Sequence, residues 1–373
     1  MKSVDTLMRE ALLRHVFPGG VLLIAKEGRI RFCKAYGYAN LFSKEKMTIE
    51  TVFDLASLTK PLVTTLAIIK LIQKSMLSLE LKLGSVLPRF EKTKKGQITI
   101  RHLLGHHSGL PAYRPFYLQL RKIPLKMRKD ALMDLLLKEP MVYQTGKNML
   151  YSDLGFIALG WVVEDIIKQR LDRFVTQEIY RFLGIGPDDK DGLFFVDLQE
   201  KPPKKRFAAT EFCQWRNFLL NGVVHDENAY VLGGIAGHAG LFGTAGGVNI
   251  LLSELLSSFN GCPSMPMFER DRVYRFFQTD KNSDRALGFD TPSVSGASCG
   301  NYFSKRSVGH LGFTGTSFWI DLDRSIIVIL LTNRIHPWRG NIKIKSFRPQ
   351  LHDAIIKELV GELPSRRVEA ESW

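Results

Sequence analysis

Segments with the pattern of β-strands lie near both ends of this sequence, and most of the segments between them have the pattern of helices. Residues 21–25 and 29–38 are two strand patterns around a Lys-Glu-Gly turn, which predicts a hairpin. Three further strands are predicted at residues 308–312, 316–321 and 325–332. The simplest architecture is therefore one sheet built from both ends of the chain, with a helical lobe inserted between its two parts.

The length of the chain agrees with this division. A chain of 373 residues can form two lobes with an ample core. We place an α/β sheet domain at residues 1–85 and 250–373 and a mainly helical lobe at residues 86–249. Seven glycines between residues 231 and 247 predict close backbone approach in that lobe, but they do not follow the order of a nucleotide-binding loop.

Composition excludes several classes of protein. Hydrophobic residues make up 45% and charged residues 24% of the chain, which is typical of a globular protein. The longest apolar run, Ile326 to Leu331, is far too short for a transmembrane segment. The N-terminal residues carry charges and no apolar signal core, so we expect a cytoplasmic location. The cysteines are scattered, which argues against a disulfide framework and a cysteine metal site; they are Cys33, Cys213, Cys262 and Cys299.

The chain is strongly basic, with a formal net charge of +15. Such a charge can attract anionic substrates, nucleic acid or a membrane surface. Basic clusters occur at residues 121–129, 201–206 and 343–348, but none carries a nucleic-acid-binding motif. We therefore expect a basic surface in contact with solvent and no specific nucleic-acid partner.

The pair Ser57 and Lys60 is the first candidate for catalysis. It precedes the apolar run 62–71, and Pro61 is tolerated only near a helix start, so we expect both residues in the first helical turn. Residues three apart lie on one helix face, where a neutral amine could take the proton of the hydroxyl. Ser57 as an ordinary helix cap is the alternative, and Ser43 also has a lysine three residues later.

Two later segments contain residues that could complete such a site. Tyr151 and Asp153 follow a loop and open a helix, and a tyrosine near a lysine can transfer protons. An amphipathic tyrosine beside an aspartate cap is the alternative. His310 lies between glycines on a predicted strand, where a strand edge could supply an oxyanion N–H; a half-buried structural histidine is the alternative.

Taken together, these segments resemble the penicillin-binding and β-lactamase superfamily of serine hydrolases. The three motifs of that superfamily correspond, in order, to Ser57-Leu58-Thr59-Lys60, Tyr151-Ser152-Asp153 and His310-Leu311-Gly312. Flanking segments match as well, and the similarity runs from about residue 16 to residue 347. The sequence is most similar to the class C β-lactamase-like and esterase branch. Residues 224–229 and 237–242 also resemble relatives that occur attached to glycoside hydrolases.

The resemblance implies a fold and a set of roles. The fold is α/β (α+β) and β-lactamase/transpeptidase-like: an antiparallel sheet flanked by helices, with an inserted mainly helical lobe and the site in the crevice. Ser57 would be the acylated nucleophile, Lys60 its base and Tyr151 the proton shuttle. The backbone N–H groups of Ser57 and Phe313 would form the oxyanion hole. The substrate-binding positions would be Asp153, His310, Leu311 and Gly312.

Three of these positions depart from the pattern of the superfamily. Asp153 replaces an asparagine that donates to the substrate, and Leu311 replaces a threonine that meets the penicillin carboxylate. His310 stands where the superfamily has lysine or histidine, and a histidine makes the positive charge there depend on pH. These changes favour small esters or D-amino-acid and peptide amides over lactams. A genuine β-lactamase or D,D-peptidase and a catalytically silent binding module remain the alternatives.

No cofactor or metal is expected. A metal site made by His225, Asp226 and His238 is the alternative, but the spacing of these residues fits no standard ligand pattern. The expected partner is a small ester, amide or lactam substrate, and the sequence does not indicate an oligomeric state.

Overall fold

The architecture was analysed in a computed structural model, which describes residues 1–201, 203–262, 267–279, 285–293 and 296–361. A six-stranded antiparallel sheet lies at its centre, in the strand order β3-β2-β1-β11-β10-β9. The strands of the chain are β1 (Gly19–Lys26), β2 (Arg29–Asn40), β3 (Glu45–Lys46), β4 (Phe53–Asp54), β5 (Leu193–Phe195), β6 (Phe212–Cys213), β7 (Phe218–Leu219), β8 (Leu241–Gly243), β9 (Ser307–Leu311), β10 (Ser317–Asp321) and β11 (Ile326–Thr332).

Helices surround this sheet and form most of the segment inserted between its two parts. They are α1 (Lys2–Leu13), α2 (Leu66–Gln73), α3 (Leu83–Val86), α4 (Ile100–Leu104), α5 (Tyr117–Leu120), α6 (Leu125–Lys138), α7 (Asp153–Ile167), α8 (Leu171–Val175), α9 (Glu227–Val231), α10 (Ala245–Asn260), α11 (Arg270–Phe277) and α12 (Ile344–Val360). None of the helices in the described part of the chain is long and apolar enough to cross a membrane.

The prediction of one sheet from both ends of the chain is confirmed. Strand β1 pairs with β2 on one side and with β11 on the other, and Leu23 lies opposite Ile329. The strands alternate side chains between two faces, and both faces are covered, so β11 is buried along its whole length. The boundaries at residues 85 and 249 stay predictions.

Each face of the sheet has its own apolar core. On one face, α1 and α12 pack together over residues such as Leu22, Val328 and Leu330. On the other face, α2, α10 and the inserted helices pack over residues such as Leu23 and Ile329. This second core therefore joins the sheet to the helical segment, and it surrounds the segment that carries Ser57.

A second, three-stranded sheet was not predicted from the sequence. Its strand order is β4-β8-β5, and each strand has only two or three residues, too few to show a periodic pattern. The pairing of β4 with β8 places the segment before Ser57 against the glycine-rich segment 233–247.

The glycine-rich segment is closely packed against α7, as its composition predicted. A Cβ atom added to Gly237 would lie 2.2 Å from the carbonyl oxygen of Phe156, whereas one added to Gly155 of the same helix would have contacts of 3.6 Å or more. The Gly237 backbone also accepts a hydrogen bond from Thr64 Oγ1 at 2.6 Å. Glycine is therefore required at position 237 and not at position 155.

We expect Gly237→Ala to lower the free energy of unfolding by about 1–3 kcal/mol, since the backbone of α7 or of residue 237 would have to move. Gly155→Ala should be neutral or slightly stabilising, because alanine favours a helix interior. Urea denaturation of both variants measures the difference. Equal stability of the two would contradict the close approach at Gly237.

Candidate active site

The backbone just before Ser57 is strained and held by a buried carboxylate. Ala56 has a φ of 48°, which is in the left-handed region that alanine rarely adopts. Its N–H donates to Asp54 Oδ1 at 2.9 Å, and Asp54 Oδ2 accepts from the His225 N–H at 2.6 Å. Burial raises the pKa of Asp54. Backbone strain of this kind often marks a functional site.

The segment after Ala56 differs from the single helix that was predicted. Ala56–Leu58 is a 3₁₀ turn, Lys60–Thr65 is a π-helical turn, and only Leu66–Gln73 is an α-helix. Within this irregular segment, Thr59 Oγ1 accepts a hydrogen bond from the Leu241 N–H. The change of helix type still brings Lys60 Nζ to 3.1 Å from Ser57 Oγ.

Lys60 is completely buried and has three oxygen neighbours. Besides Ser57, its ammonium donates to the carbonyl oxygen of His238 at 3.0 Å and lies 2.7 Å from Asp153 Oδ1. Burial lowers the pKa of Lys60, but interactions led by attraction to the Asp153 carboxylate outweigh burial, and the net pKa is raised. The resting site therefore holds a lysinium ion.

Asp153 is available to Lys60 because another residue caps the helix. The N-cap of α7 is Ser152, whose hydroxyl accepts from the Gly155 N–H. The carboxylate of Asp153 has its Oδ1 close to Lys60, but this oxygen receives no well-directed hydrogen bond from the described residues. The contact is therefore mainly an ion pair, and Asp153 is not the cap that the sequence suggested as an alternative.

Tyr151 lies directly beside this ion pair. Lys60 Nζ is 5.0 Å from the centre of the Tyr151 ring, and the ring of His106 packs on Tyr151 with centroids 4.5 Å apart. Burial raises the pKa of Tyr151, although its interactions with Lys60 and Ser57 lower it in part. The phenol is therefore protonated at neutral pH and can donate a proton.

Phe313 is held near Ser57 by two threonine side chains. Thr314 Oγ1 donates to the Asp54 carbonyl oxygen at 2.7 Å, and Thr316 Oγ1 donates to the Leu55 carbonyl oxygen at 3.1 Å. Within the described ranges, no hydrogen-bond acceptor contacts the Phe313 N–H. These contacts connect the β9–β10 turn to the segment before Ser57.

His310, Leu311 and Gly312 lie at the end of β9, outside the lining of the cavity described below. His310 is buried, its Nδ1 lies 3.0 Å from the Leu311 carbonyl oxygen, and its ring is 6.0 Å from that of Tyr151. Burial lowers the pKa of His310 to about 4. The imidazole is therefore neutral at pH 7 and brings no positive charge to the site.

Ser57 opens into a cavity of about 360 Å³. Tyr151, Asp153 and Phe313 line it as well, so the structure brings most of the sequence-predicted residues together, with Lys60 buried behind them. Sequence analysis assigned no role to several other lining residues: Tyr113, Glu227 and Arg339. Arg339 donates to Glu227 and Glu211, which lie more than a hundred positions away in sequence, so no local pattern could have indicated it.

His225, Asp226 and His238 are paired differently from a metal site. His238 Nε2 lies 2.9 Å from Asp226 Oδ1, whereas His225 Nε2 lies 3.2 Å from Glu211. Among the described residues, no group of three or more histidine, cysteine, aspartate or glutamate side chains is arranged to hold a metal ion. The His238–Asp226 pair instead supports the segment whose carbonyl oxygen accepts from Lys60.

An antiparallel sheet with helices on both faces and a serine–lysine pair beside it is the arrangement of the penicillin-binding protein and β-lactamase-like hydrolases. The model of the family described as "Beta-lactamase" matches residues 4–345. The chain therefore belongs to the β-lactamase family and is a hydrolase of that family.

Two curated relatives have similar sequences over most of their length. A protein of Bacillus subtilis named N-acetylmuramyl-L-alanine amidase is 32% identical over 365 residues, covering 90% of this chain and 81% of the relative. A putative D-alanyl-D-alanine carboxypeptidase of Escherichia coli is 31% identical over 350 residues, covering 86% of this chain and 79% of the relative.

Solved structures confirm the fold. EstCE1, described as a hydrolase with promiscuous acyltransferase activity, has a TM-score of 0.71 and 22% identity, covering 93% of this chain and 98% of that one. The octameric penicillin-binding protein homologue from Pyrococcus abyssi has a TM-score of 0.73 and 18% identity, and the match covers 97% of this chain and 77% of that one. The predicted β-lactamase/transpeptidase-like fold is thereby confirmed.

Proposed function

We propose that this protein is a serine hydrolase that forms an acyl-enzyme on Ser57. The observation that supports this proposal is the distance of 3.1 Å between Lys60 Nζ and Ser57 Oγ, at the edge of a cavity that Tyr151 also lines. A nucleophile and a base within hydrogen-bond reach are the minimum requirement for such a reaction.

Acylation begins when a neutral Lys60 takes the proton of Ser57. The Oγ atom then attacks the carbonyl carbon of the substrate, and the oxyanion that forms accepts from the Ser57 and Phe313 N–H groups. When the tetrahedral intermediate collapses, Tyr151 protonates the leaving alcohol or amine, and Lys60 returns a proton to Tyr151. A water molecule releases the acyl group as a carboxylic acid by the same steps, with Tyr151 and Lys60 taking its proton.

The substrates that fit best are small esters and amides of D-amino acids or peptides. The neutral His310 and the apolar Leu311 offer no cation and no hydroxyl to a substrate carboxylate. Asp153 presents acceptor oxygens where a donor would be needed for the side-chain amide of a penicillin. The names of the two curated relatives, an amidase and a putative carboxypeptidase, support an amide substrate.

We expect p-nitrophenyl acetate or butyrate and D-alanyl amides to have a higher kcat/KM than a chromogenic cephalosporin. Each unmet polar contact should cost the lactam about 1–3 kcal/mol, so two contacts should slow acylation by about 10²-fold or more. Kinetics of all three substrates on one preparation, with Ser57→Ala as the blank, measure the ranking.

The double change Asp153→Asn with Leu311→Thr should raise kcat/KM for the cephalosporin relative to kcat/KM for p-nitrophenyl acetate, because it supplies the missing donor and hydroxyl. A change in the pKa of Lys60 would affect both substrates and leave this ratio unchanged. A cephalosporin that is cleaved faster than the esters by wild-type enzyme would contradict the substrate proposal. If the ratio of lactam to ester kcat/KM does not rise in the double variant, the explanation by these two residues is wrong even when the ranking holds.

A D,D-peptidase or β-lactamase is the second candidate, and the name of the Escherichia coli relative favours the former. A catalytically silent module would require Ser57 to be unreactive. The absence of a nucleic-acid partner and the cytoplasmic location stay predictions.

A further inference from the structure

An exposed apolar surface with basic residues around it lies beside the segment that leads to Arg339. Four large side chains are mostly exposed: Leu13 (79%), Phe42 (63%), Trp338 (68%) and Ile342 (61%). We call these four residues the apolar surface. Trp338 lines a cavity of about 500 Å³ together with Leu12, Leu41 and Asn341, which are the sequence neighbours of Leu13, Phe42 and Ile342. None of these side chains takes part in the proposed reaction.

Contacts between three distant segments make this surface one continuous structure. The ring of Phe42 packs on His336 with centroids 5.3 Å apart, and the Leu41 N–H donates to His336 Nε2 at 3.0 Å. Asn341 Nδ2 donates to the carbonyl oxygens of His15 and Val16, each at 3.1 Å. These contacts connect the three segments that carry the apolar surface.

The polar residues around the apolar surface are mostly cations. Arg14, Lys44, Lys343 and Lys345 are all exposed. Glu10 pairs with Arg14 at 3.5 Å and Glu45 pairs with Arg206 at 2.8 Å, so neither of these carboxylates offsets the charge of Lys44, Lys343 or Lys345. This excess of positive charge agrees with the formal net charge of +15 of the whole chain.

We propose that this surface docks on an anionic lipid bilayer, with Trp338, Phe42 and their aliphatic neighbours inserted at the interface. Tryptophan and other large apolar side chains combined with lysine and arginine are the composition of interfacial membrane binding. Each basic side chain near an anionic bilayer strengthens binding about fivefold. A nucleic acid would leave the aliphatic Leu13 and Ile342 without a matching partner, since bases stack on aromatic groups.

A second copy of this chain is a poorer occupant of the same surface. A two-fold contact would place Arg14, Lys44, Lys343 and Lys345 of one copy near those of the other, and like charges in contact oppose association. Docking on a bilayer instead brings the cations to lipid phosphates. Trp338 is followed by Arg339, which lines the Ser57 cavity, so docking would hold that cavity close to the membrane surface.

Vesicle co-sedimentation of the full chain tests this proposal. Wild-type protein should bind vesicles of phosphatidylcholine with phosphatidylglycerol about tenfold or more tightly than vesicles of phosphatidylcholine alone. High salt should abolish this difference in affinity, because it screens the charges. Phe42→Ser combined with Trp338→Ser should weaken binding by about tenfold or more. The matched control is Phe182→Ser, because Phe182 is also 63% exposed but lies outside the surface.

A second pair of variants tests whether the basic residues around the apolar surface are needed for binding to anionic vesicles. Lys343→Gln with Lys345→Gln should weaken binding to the anionic vesicles by about tenfold or more, whereas Lys122→Gln with Lys126→Gln, at exposed positions in the helical segment, should have a smaller effect. Thermal unfolding midpoints equal to that of the wild type would show that the variants are folded. These readouts do not depend on the acyl substrate.

Several outcomes would overturn the proposal. One is the absence of binding to anionic vesicles at low salt, and another is equal binding by wild type and the Phe42/Trp338 variant. A dimer in light scattering that Trp338→Ser dissociates would assign the surface to a second copy. Displacement from vesicles by soluble glycerol phosphate would indicate a site for a free phosphate, and loss of tight duplex DNA binding in the same variants would indicate a nucleic-acid surface.

Discussion

Ser57→Ala should reduce kcat for ester hydrolysis by about 10⁴-fold or more, and it should abolish labelling by a fluorophosphonate. The reason is that the proposed reaction passes through a covalent bond to Ser57 Oγ, which no neighbouring group can replace, and loss of a catalytic serine in other serine hydrolases has effects of this size. Intact mass followed by peptide mapping identifies the labelled residue, and steady-state kinetics give the loss of activity.

The chain contains a matched control for this experiment. Ser43 also has a lysine three residues later, but it lies in an exposed turn between β2 and β3, and Lys46 contacts Tyr38 instead of the serine. Ser43→Ala should therefore keep full activity and full labelling. An adduct on Ser43, or labelling that persists in Ser57→Ala, would end the assignment of Ser57 as the nucleophile.

The second large effect concerns the ion pair between Lys60 and Asp153. Because Asp153 lies 2.7 Å away and raises the pKa of Lys60, little of the neutral amine is present at pH 7. If the neutral amine is the base, kcat/KM rises with pH until Lys60 has lost its proton. Asp153→Asn removes the attraction between residue 153 and the lysinium ion but leaves Lys60 buried. The pKa of Lys60 should therefore fall, and the rising part of the kcat/KM profile should move to lower pH.

The expected shift of this rising part is about one to three pH units, which is the usual effect of one neighbouring opposite charge. At a fixed pH on the rising part, each unit corresponds to about a tenfold change in rate. The pH dependence of kcat/KM for p-nitrophenyl acetate in wild type and Asp153→Asn measures it, with the enzyme-free rate subtracted at every pH.

Lys60→Arg is the matched control for the second prediction. Arginine keeps the positive charge but does not lose its proton in a protein, so it cannot act as the base, and kcat should fall by about 10²- to 10⁴-fold at all pH values. Substantial activity of Lys60→Arg would show that a cation suffices at this position. If the rising part of the kcat/KM profile stays at the same pH in Asp153→Asn, it reports the ionisation of a group other than Lys60.

Much of the fold could be predicted because its signals are local. The apolar alternation of β2 and the uninterrupted apolar runs of β1 and β11 reflect burial of one or both strand faces, and a short window of sequence shows this directly. The helix around Lys60 was predicted only in part. Its 3₁₀ and π-helical turns lie where Thr59, Lys60 and Thr64 make hydrogen bonds to residues 237–241, and the local pattern does not contain these contacts.

The candidate site shows the same division. The spacing of Ser57 and Lys60 predicted their contact, because residues three apart share a face of any helical turn. The protonation states could not be predicted in this way. Lys60 is charged and His310 is neutral because of desolvation and of charges that the fold brings within a few ångströms, and these distances join residues far apart in sequence.

By itself, the sequence determined five of the six strands of the central sheet, all except the two-residue β3, together with the order of the three motifs and the pairing of a serine with a lysine, because each depends on neighbours along the chain. Only the tertiary structure decided that Asp153 pairs with Lys60, that Arg339 and Tyr113 line the cavity beside Ser57, and that Leu12, Leu41 and Trp338 line a second cavity together. Burial and electrostatic energy depend on distances in space, and these are set when the whole chain has folded.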